Sequence, residues 1–215
     1  MLTVASHEDW NPATFDEAAK SDQPPFVYCA SKKLAEEEAW TFVREKKPQF
    51  ALTTICPPYV PSWYSHTSST DPVASLITGP PQQVITDINS LNTSVGAVWS
   101  VVDADKIPAT SFPVFTDVRD IAKLHVEAVT KDVAKNQRYL TIAGHFDNTQ
   151  VAQIIRKNFP EQANRVPEAE VSSFDHFKTD SSKAERDFGI KWIGLEQSVT
   201  DTARELFNLE KQLKQ

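Results

Sequence analysis

A chain of 215 residues with 40% hydrophobic and 24% charged side chains has ordinary globular composition and is long enough to bury a core. Its net charge of −7 leaves no basic stripe to displace counterions from nucleic acid, and no stretch approaches the roughly eighteen apolar residues of a membrane span. Two cysteines, Cys29 and Cys56, fit a reducing compartment, and the opening residues lack a signal peptide's basic and apolar regions, so a cytoplasmic protein is the expectation.

In chain order, residues 1–27 are rich in turn formers, with Asp9-Trp10-Asn11-Pro12 and Pro24-Pro25 as breakers and a short helix expected over Thr14–Lys20. Next comes Tyr28-Cys29-Ala30-Ser31-Lys32. If the following run is helical, Tyr28 and Lys32 project from one face, four residues apart. Free tyrosine and free lysine both hold their protons to about pH 10. An adjacent cation favours the phenolate and brings the phenol's proton within reach of chemistry near neutrality. A Tyr-x-x-x-Lys spacing is therefore a candidate acid/base pair for carbonyl reduction, although two residues at one spacing also arise by chance.

From Lys32 to Lys46, Ala35, Ala39, Phe42 and Val43 recur at helical spacing, which predicts an apolar inner face and places Glu36, Glu37, Glu38 and Arg44 in solvent. Pro48 closes this helix. The β-branched run Phe50–Cys56, stopped by Pro57-Pro58, reads as a buried strand. Helix followed directly by buried strand is half of a parallel α/β unit, and ligands bind beyond the carboxyl ends of such strands, here at Pro57 to Val60.

Residues 61–82 form a long Ser-, Thr- and Pro-rich connection. Its Trp63, Tyr64 and His66 suit a pocket wall or a satellite apolar cluster. Ile85 to Val102 carry helical periodicity broken near Asn92-Thr93. Phe112–Phe115 reads as a strand, with Thr116 or Asp117 capping a helix over Val118–Thr130 that turns Ile121, Ala122, His125 and Val129 inward. Arg138–Ala143 reads as another strand. Asn148 or Thr149 caps a helix through Phe159, Pro160–Lys178 reads as loop, and Leu195 to Leu213 form a final amphipathic helix. Helices alternating with short strands predict an α/β fold.

The five glycines, Gly79, Gly96, Gly144, Gly189 and Gly194, include no pair with phosphate-loop spacing. The five histidines are scattered, without metal-ligand spacing, and no G-x-S-x-G elbow occurs.

Six stretches occur in a familiar order: Asp9-Trp10-Asn11-Pro12; Tyr28 to Lys33 with Ala35-Glu36; Pro57 with Tyr59-Val60; Leu91-Asn92-Thr93-Ser94; Asp117 to His125; and Ser182-Lys183 to Gly189 with Leu195 to Ala203. On these the chain resembles the C-terminal half or more of an extended short-chain dehydrogenase/reductase, in the branch of fungal methylglyoxal and aldehyde reductases and plant dihydroflavonol and cinnamoyl reductases. The resemblance implies the C-terminal part of a Rossmann-like doubly wound parallel sheet plus a small α/β substrate-binding lobe. Residues 1–60 would complete the dinucleotide-binding domain and residues 61–215 the lobe, with 112–143 returning a helix and strands to the sheet.

By the same resemblance the cofactor is NADP(H) and the substrate a small-molecule carbonyl, reduced to an alcohol. Tyr28 is the acid. Lys32 supports it and holds the nicotinamide ribose, Pro57 and Val60 lie against the nicotinamide, and Ser94 lines the cofactor or substrate side. The family's Gly-rich turn and catalytic Ser or Thr have no counterpart here, Ser6 lying too close to Trp10 to serve. Cys56 replaces a usual Asn, Pro58 removes a backbone donor, and Ser62-Trp63 stand where Gly-Pro is typical. These departures imply a partial chain, inactive alone and prone to self-association through an exposed sheet. The alternative is a non-catalytic remnant that binds small molecules or proteins.

Overall fold

A parallel pair of strands with chemically opposite faces organises the chain. The computed structural model describes residues 4–61, 87–168, 170 and 176–215. Its elements are β1 (Val4–Ala5), α1 (Phe15–Lys20), α2 (Pro24–Lys46), β2 (Thr53–Cys56), α3 (Thr93–Trp99), β3 (Val114–Phe115), α4 (Val118–Thr130), β4 (Gln137–Leu140), β5 (Gly144–His145), α5 (Asn148–Asn158), β6 (Lys178–Thr179), α6 (Ser182–Phe188) and α7 (Leu195–Leu213). Residues 62–86, which include Trp63, Tyr64 and His66, lie outside the described set.

β2 and β4 run parallel, with Thr54 opposite Arg138 and Ile55 opposite Tyr139. Side chains alternate across a strand. Thr54, Cys56 and Arg138 therefore share one face, and Ile55 and Tyr139 the other. On the apolar face, fully buried Tyr139 packs with Ile121 and Leu124 of α4 and with Ala184 and Phe188 of α6. Burying side chains of this size contributes about 1.5–3 kcal/mol each. The polar face meets α2. A parallel pair with helices on both sides is α/β layering, as the alternation of elements predicts.

β1 pairs parallel with β6, β3 pairs antiparallel with β5, and Tyr59 bridges to Phe115, which links the segment leaving β2 to β3. A second apolar cluster joins Val98 of α3, Val151 and Ile155 of α5, and Val199, Ala203 and Phe207 of α7. The hydroxyl of buried Thr202 in α7 donates to the Pro61 carbonyl, which ties the last helix to the chain leaving β2.

Several expectations need correction. Pro24 and Pro25 do not break structure: they occupy the first turn of α2, where a missing N–H costs nothing, and the helix starts well before Lys32. Its inner face is not the apolar one. Ala30 is the buried residue of α2, Ala35 is exposed and Phe42 is 49% exposed, whereas Glu36 faces the sheet. In α4 the buried residues are Asp120, Ile121 and Leu124, while His125 is exposed and Val129 is 87% exposed. Asp120 accepts from the Ile193 N–H and so takes an inner position that hydropathy assigns elsewhere. The cap of α5 is Asp147, one residue earlier than expected, in a capping box with Gln150. Residues 160–178 are not all loop, since Pro160–Arg165 form a short 3₁₀ helix.

Candidate active site

Tyr28 and Lys32 lie within the first three turns of α2 and are in contact. The Lys32 Nζ sits 5.3 Å from the centroid of the Tyr28 ring, a cation–π arrangement set by helical spacing. Both side chains are exposed, Tyr28 at 63%. The Ser31 hydroxyl donates to the Tyr28 carbonyl at 2.8 Å.

The residue one further turn along the same ridge fixes how α2 sits. The Glu36 side chain is 13% exposed and lies against the polar face of the sheet. Its Oε1 accepts from the Thr54 hydroxyl at 2.5 Å, from Arg138 Nε at 2.9 Å and from the Trp40 indole at 3.2 Å. The Cys56 thiol donates to Oε2 at 3.7 Å. Burial raises the Glu36 carboxyl, but the hydrogen bonds from Arg138, Thr54 and Trp40 outweigh it and hold the group below its ordinary value. Burial pushes the Cys56 thiol up to about 11, and the Arg138 cation offsets only part of that. Cys56 is therefore a neutral donor in this cluster at neutral pH.

Arg138 extends the cluster to the N-terminal segment. Its Nη1 donates to the carbonyls of His7 at 2.8 Å and Asp9 at 2.9 Å, and its guanidinium stacks 4.2 Å from the Trp10 ring centroid. The Asp9-Trp10 stretch is thus docked onto β4 by backbone and ring contacts.

These contacts give α2 its direction. Trp40, Thr41 and Arg44 of the helix share a groove with Asn136 and Arg138 at the start of β4. The C-terminal half of α2 therefore lies at the strands' amino ends, and Glu36 reaches Cys56 at the carboxyl end of β2. Lys32 and Tyr28 are one and two turns nearer the helix start, about 6 and 12 Å along the axis. They accordingly project past the carboxyl end of β2, where open α/β sheets bind ligands.

Pro57, exposed, and Val60, half-buried against the Tyr139 cluster, lie on the segment that leaves β2 in that direction. Ser94 is half-buried in the first turn of α3, which packs on α5 and α7. The contact the structure records among the expected site residues is that between Tyr28 and Lys32. The groove, of about 640 Å³, is at the opposite end of the strands and holds none of the five. Neither Glu36, which hydropathy places in solvent, nor Arg138, read only as a strand residue, is among the expected site residues. The signal for them is the i+4 spacing of Glu36 from Lys32, and a lone arginine within a short strand.

Among the described residues no cluster of His, Cys, Asp and Glu could hold a metal ion, and no helix is long and apolar enough to cross a membrane.

An NADPH-dependent methylglyoxal reductase of Saccharomyces cerevisiae is 32% identical over 216 residues, covering 95% of this chain and 57% of that protein. The chain is similar over nearly its whole length to fungal methylglyoxal reductases. An oxidoreductase of Schizosaccharomyces pombe is 34% identical over 213 residues, with 98% of this chain and 58% of the relative covered. Among solved structures, yeast methylglyoxal/isovaleraldehyde reductase Gre2 complexed with NADPH superposes with a TM-score of 0.78 at 29% identity, covering 96% of this chain and 57% of that one. The resemblance to reductases of this class and the Rossmann-like α/β reading are thereby borne out. The chain spans a little over half the length of these relatives. No protein-family model matches it.

Proposed function

We propose that this chain carries the proton-transfer half of an NADPH-dependent carbonyl reductase site, which converts aldehydes or ketones to alcohols. The observation that carries the reading is the Tyr28–Lys32 contact at the carboxyl end of β2. Relatives named as NADPH-dependent methylglyoxal reductases support the reaction class and the cofactor.

The residues present fit the nicotinamide end of such a cofactor. Tyr28 and Lys32 are exposed donors on the ligand side of the sheet, and Pro57 and Val60, on the segment that leaves β2, are the apolar residues the reading assigns to the nicotinamide face. The diphosphate end finds no Gly-rich strand-to-helix turn in the 215 residues. When bound, NADPH supplies the hydride. The Tyr28 hydroxyl gives its proton to the carbonyl oxygen as charge develops there. The Lys32 ammonium stabilises the tyrosinate left behind and offers donors to ribose hydroxyls. Solvent reprotonates the exposed Tyr28. Ser94 would contact the cofactor or substrate from α3.

On this reading residues 1–60 complete the cofactor-binding sheet, and residues 61–215 supply the substrate lobe and the returning strand β4. The test joins the chain in frame to the Gly-rich βαβ half of a relative and follows carbonyl-dependent NADPH oxidation. The fused protein is expected to turn over, and the 215-residue chain alone is expected to give no NADPH binding heat by calorimetry. Tight NADPH binding by the chain alone, or a folded fusion without turnover, would refute this assignment.

A further inference from the structure

Tyr28 and Lys32 are exposed and touch each other. Nothing in that contact sets where the pair points relative to the sheet. We infer that Glu36, clamped by Arg138 and Thr54, is the positioning residue that sets the roll and height of α2 and so aims the Tyr28–Lys32 pair past the carboxyl end of β2. The inference rests on reading that pair as the acid and its support.

The geometry singles out Glu36. Tyr28, Lys32, Glu36 and Trp40 follow one another at intervals of four and form one ridge of the helix. Along that ridge Glu36 makes the contacts with the strands: the Thr54 hydroxyl on β2 and the Arg138 guanidinium on β4 converge on a single carboxylate oxygen. Anchoring one carboxylate to two neighbouring strands fixes both rotation about the helix axis and translation along it. Apolar packing would supply this restraint in an ordinary amphipathic helix, but here Ala35 and Phe42 face outward, and Ala30, the buried residue of α2, packs with Ala13, Ala18 and Phe26 rather than with residues of β2 or β4. An ion pair in directed hydrogen bonds specifies a unique arrangement better than sliding apolar surfaces do. Arg138 is itself immobilised by the His7 and Asp9 carbonyls and the Trp10 ring, so the clamp does not swing with its own side chain.

The test measures the placement of the helix directly. Cys29, exposed and adjacent to Tyr28, takes a nitroxide label, while half-buried Cys56 stays protonated. Val129, 87% exposed on α4 across the sheet, takes the second after Val129→Cys. The Cys29–129 distance distribution is then read by pulsed electron-spin resonance in the full chain. Glu36→Gln, nearly isosteric but uncharged, is expected to shift the mean by about 2 Å, the scale of packed-helix displacements, or to split the distribution. Thr54→Val, which deletes one hydroxyl and suits a strand, is expected to shift it the same way by less. Leu206→Ala in the distant α7 core lowers the melting temperature and should leave the distribution unchanged.

A role in stability alone predicts that Glu36→Gln behaves like Leu206→Ala. An unmoved distribution in a folded Glu36→Gln chain would overturn the inference. Should that variant fail to fold, an unmoved distribution in Thr54→Val would overturn it equally. The distance is independent of turnover, so failure here and failure of the reductase reading are separate results. In the active fused protein, Glu36→Gln should lower kcat at least tenfold with KM little changed, because misaim affects proton transfer rather than carbonyl binding.

Discussion

Glu36 and Arg138, 102 residues apart in sequence, meet at 2.9 Å across the polar face of a two-stranded parallel pair. With side chains 13% and 17% exposed, they form a largely desolvated ion pair that is further hydrogen-bonded by Thr54, Trp40, Cys56 and the His7 and Asp9 carbonyls. Such pairs add modest net stability when whole, but they are costly to break from one side.

Arg138→Met should therefore destabilise the chain by about 3 kcal/mol, since it leaves Glu36 buried without its cation. Urea unfolding followed by circular dichroism measures this. Replacing both partners together, Glu36→Met with Arg138→Met, should cost less than the sum of the single changes. Additive losses would mean that the two side chains do not act as a pair.

The pH dependence has a definite sign. The folded-state pKa of Glu36 lies below its ordinary 4.5, so its contribution is fully present above that value and is lost as pH falls through the lower folded value. Melting temperatures taken from about pH 7 down to about pH 3 should decline more steeply for the parent chain than for Glu36→Gln. Parallel curves for the two would show that Glu36 does not titrate as described.

The two thiols should separate cleanly. Cys29 is exposed on the first turns of α2, whereas burial pushes the half-buried Cys56 thiol up to about 11. A disulfide reagent at neutral pH is expected to modify one thiol rapidly in the native chain and the second only after denaturation. Fast modification of both would contradict the packing of α2 on β2.

An aromatic pair lies exposed at the C-terminal end of α2: Phe42 is 49% exposed and Phe50 60%, with their rings stacked at 6.5 Å. Exposed aromatic surface of this kind promotes association. Phe42→Glu with Phe50→Glu should shift the chain toward monomer in sedimentation experiments and leave its melting temperature within a few degrees of the parent. Unchanged self-association would place the interface elsewhere.

Much of this was legible from the residues. Asp117 as an N-cap, the α4 span and the α7 inner face around Val199 and Leu206 follow from short-range rules that read local hydrogen bonds and helical period. The Tyr28–Lys32 contact follows from spacing alone. The face of α2 was misread for a physical reason. Hydropathy assumes that the buried side is apolar, yet the sheet presents Thr54, Cys56 and Arg138, and a carboxylate is the complementary partner for them. A long-range pair of this kind has no periodicity to betray it. The start of α2 was missed because proline was read as a breaker, when the first turn has no intrahelical bond for it to lose.

Removing the Tyr28 hydroxyl tests most directly whether that residue is the proton donor of a carbonyl reductase. In the chain joined to a Gly-rich half from a relative, Tyr28→Phe should reduce carbonyl-dependent NADPH oxidation by about 10²–10⁴-fold, the range for losing a general acid, while the folded content is kept. Turnover within a few-fold of the parent would show that the proton comes from another group and would contradict the assignment.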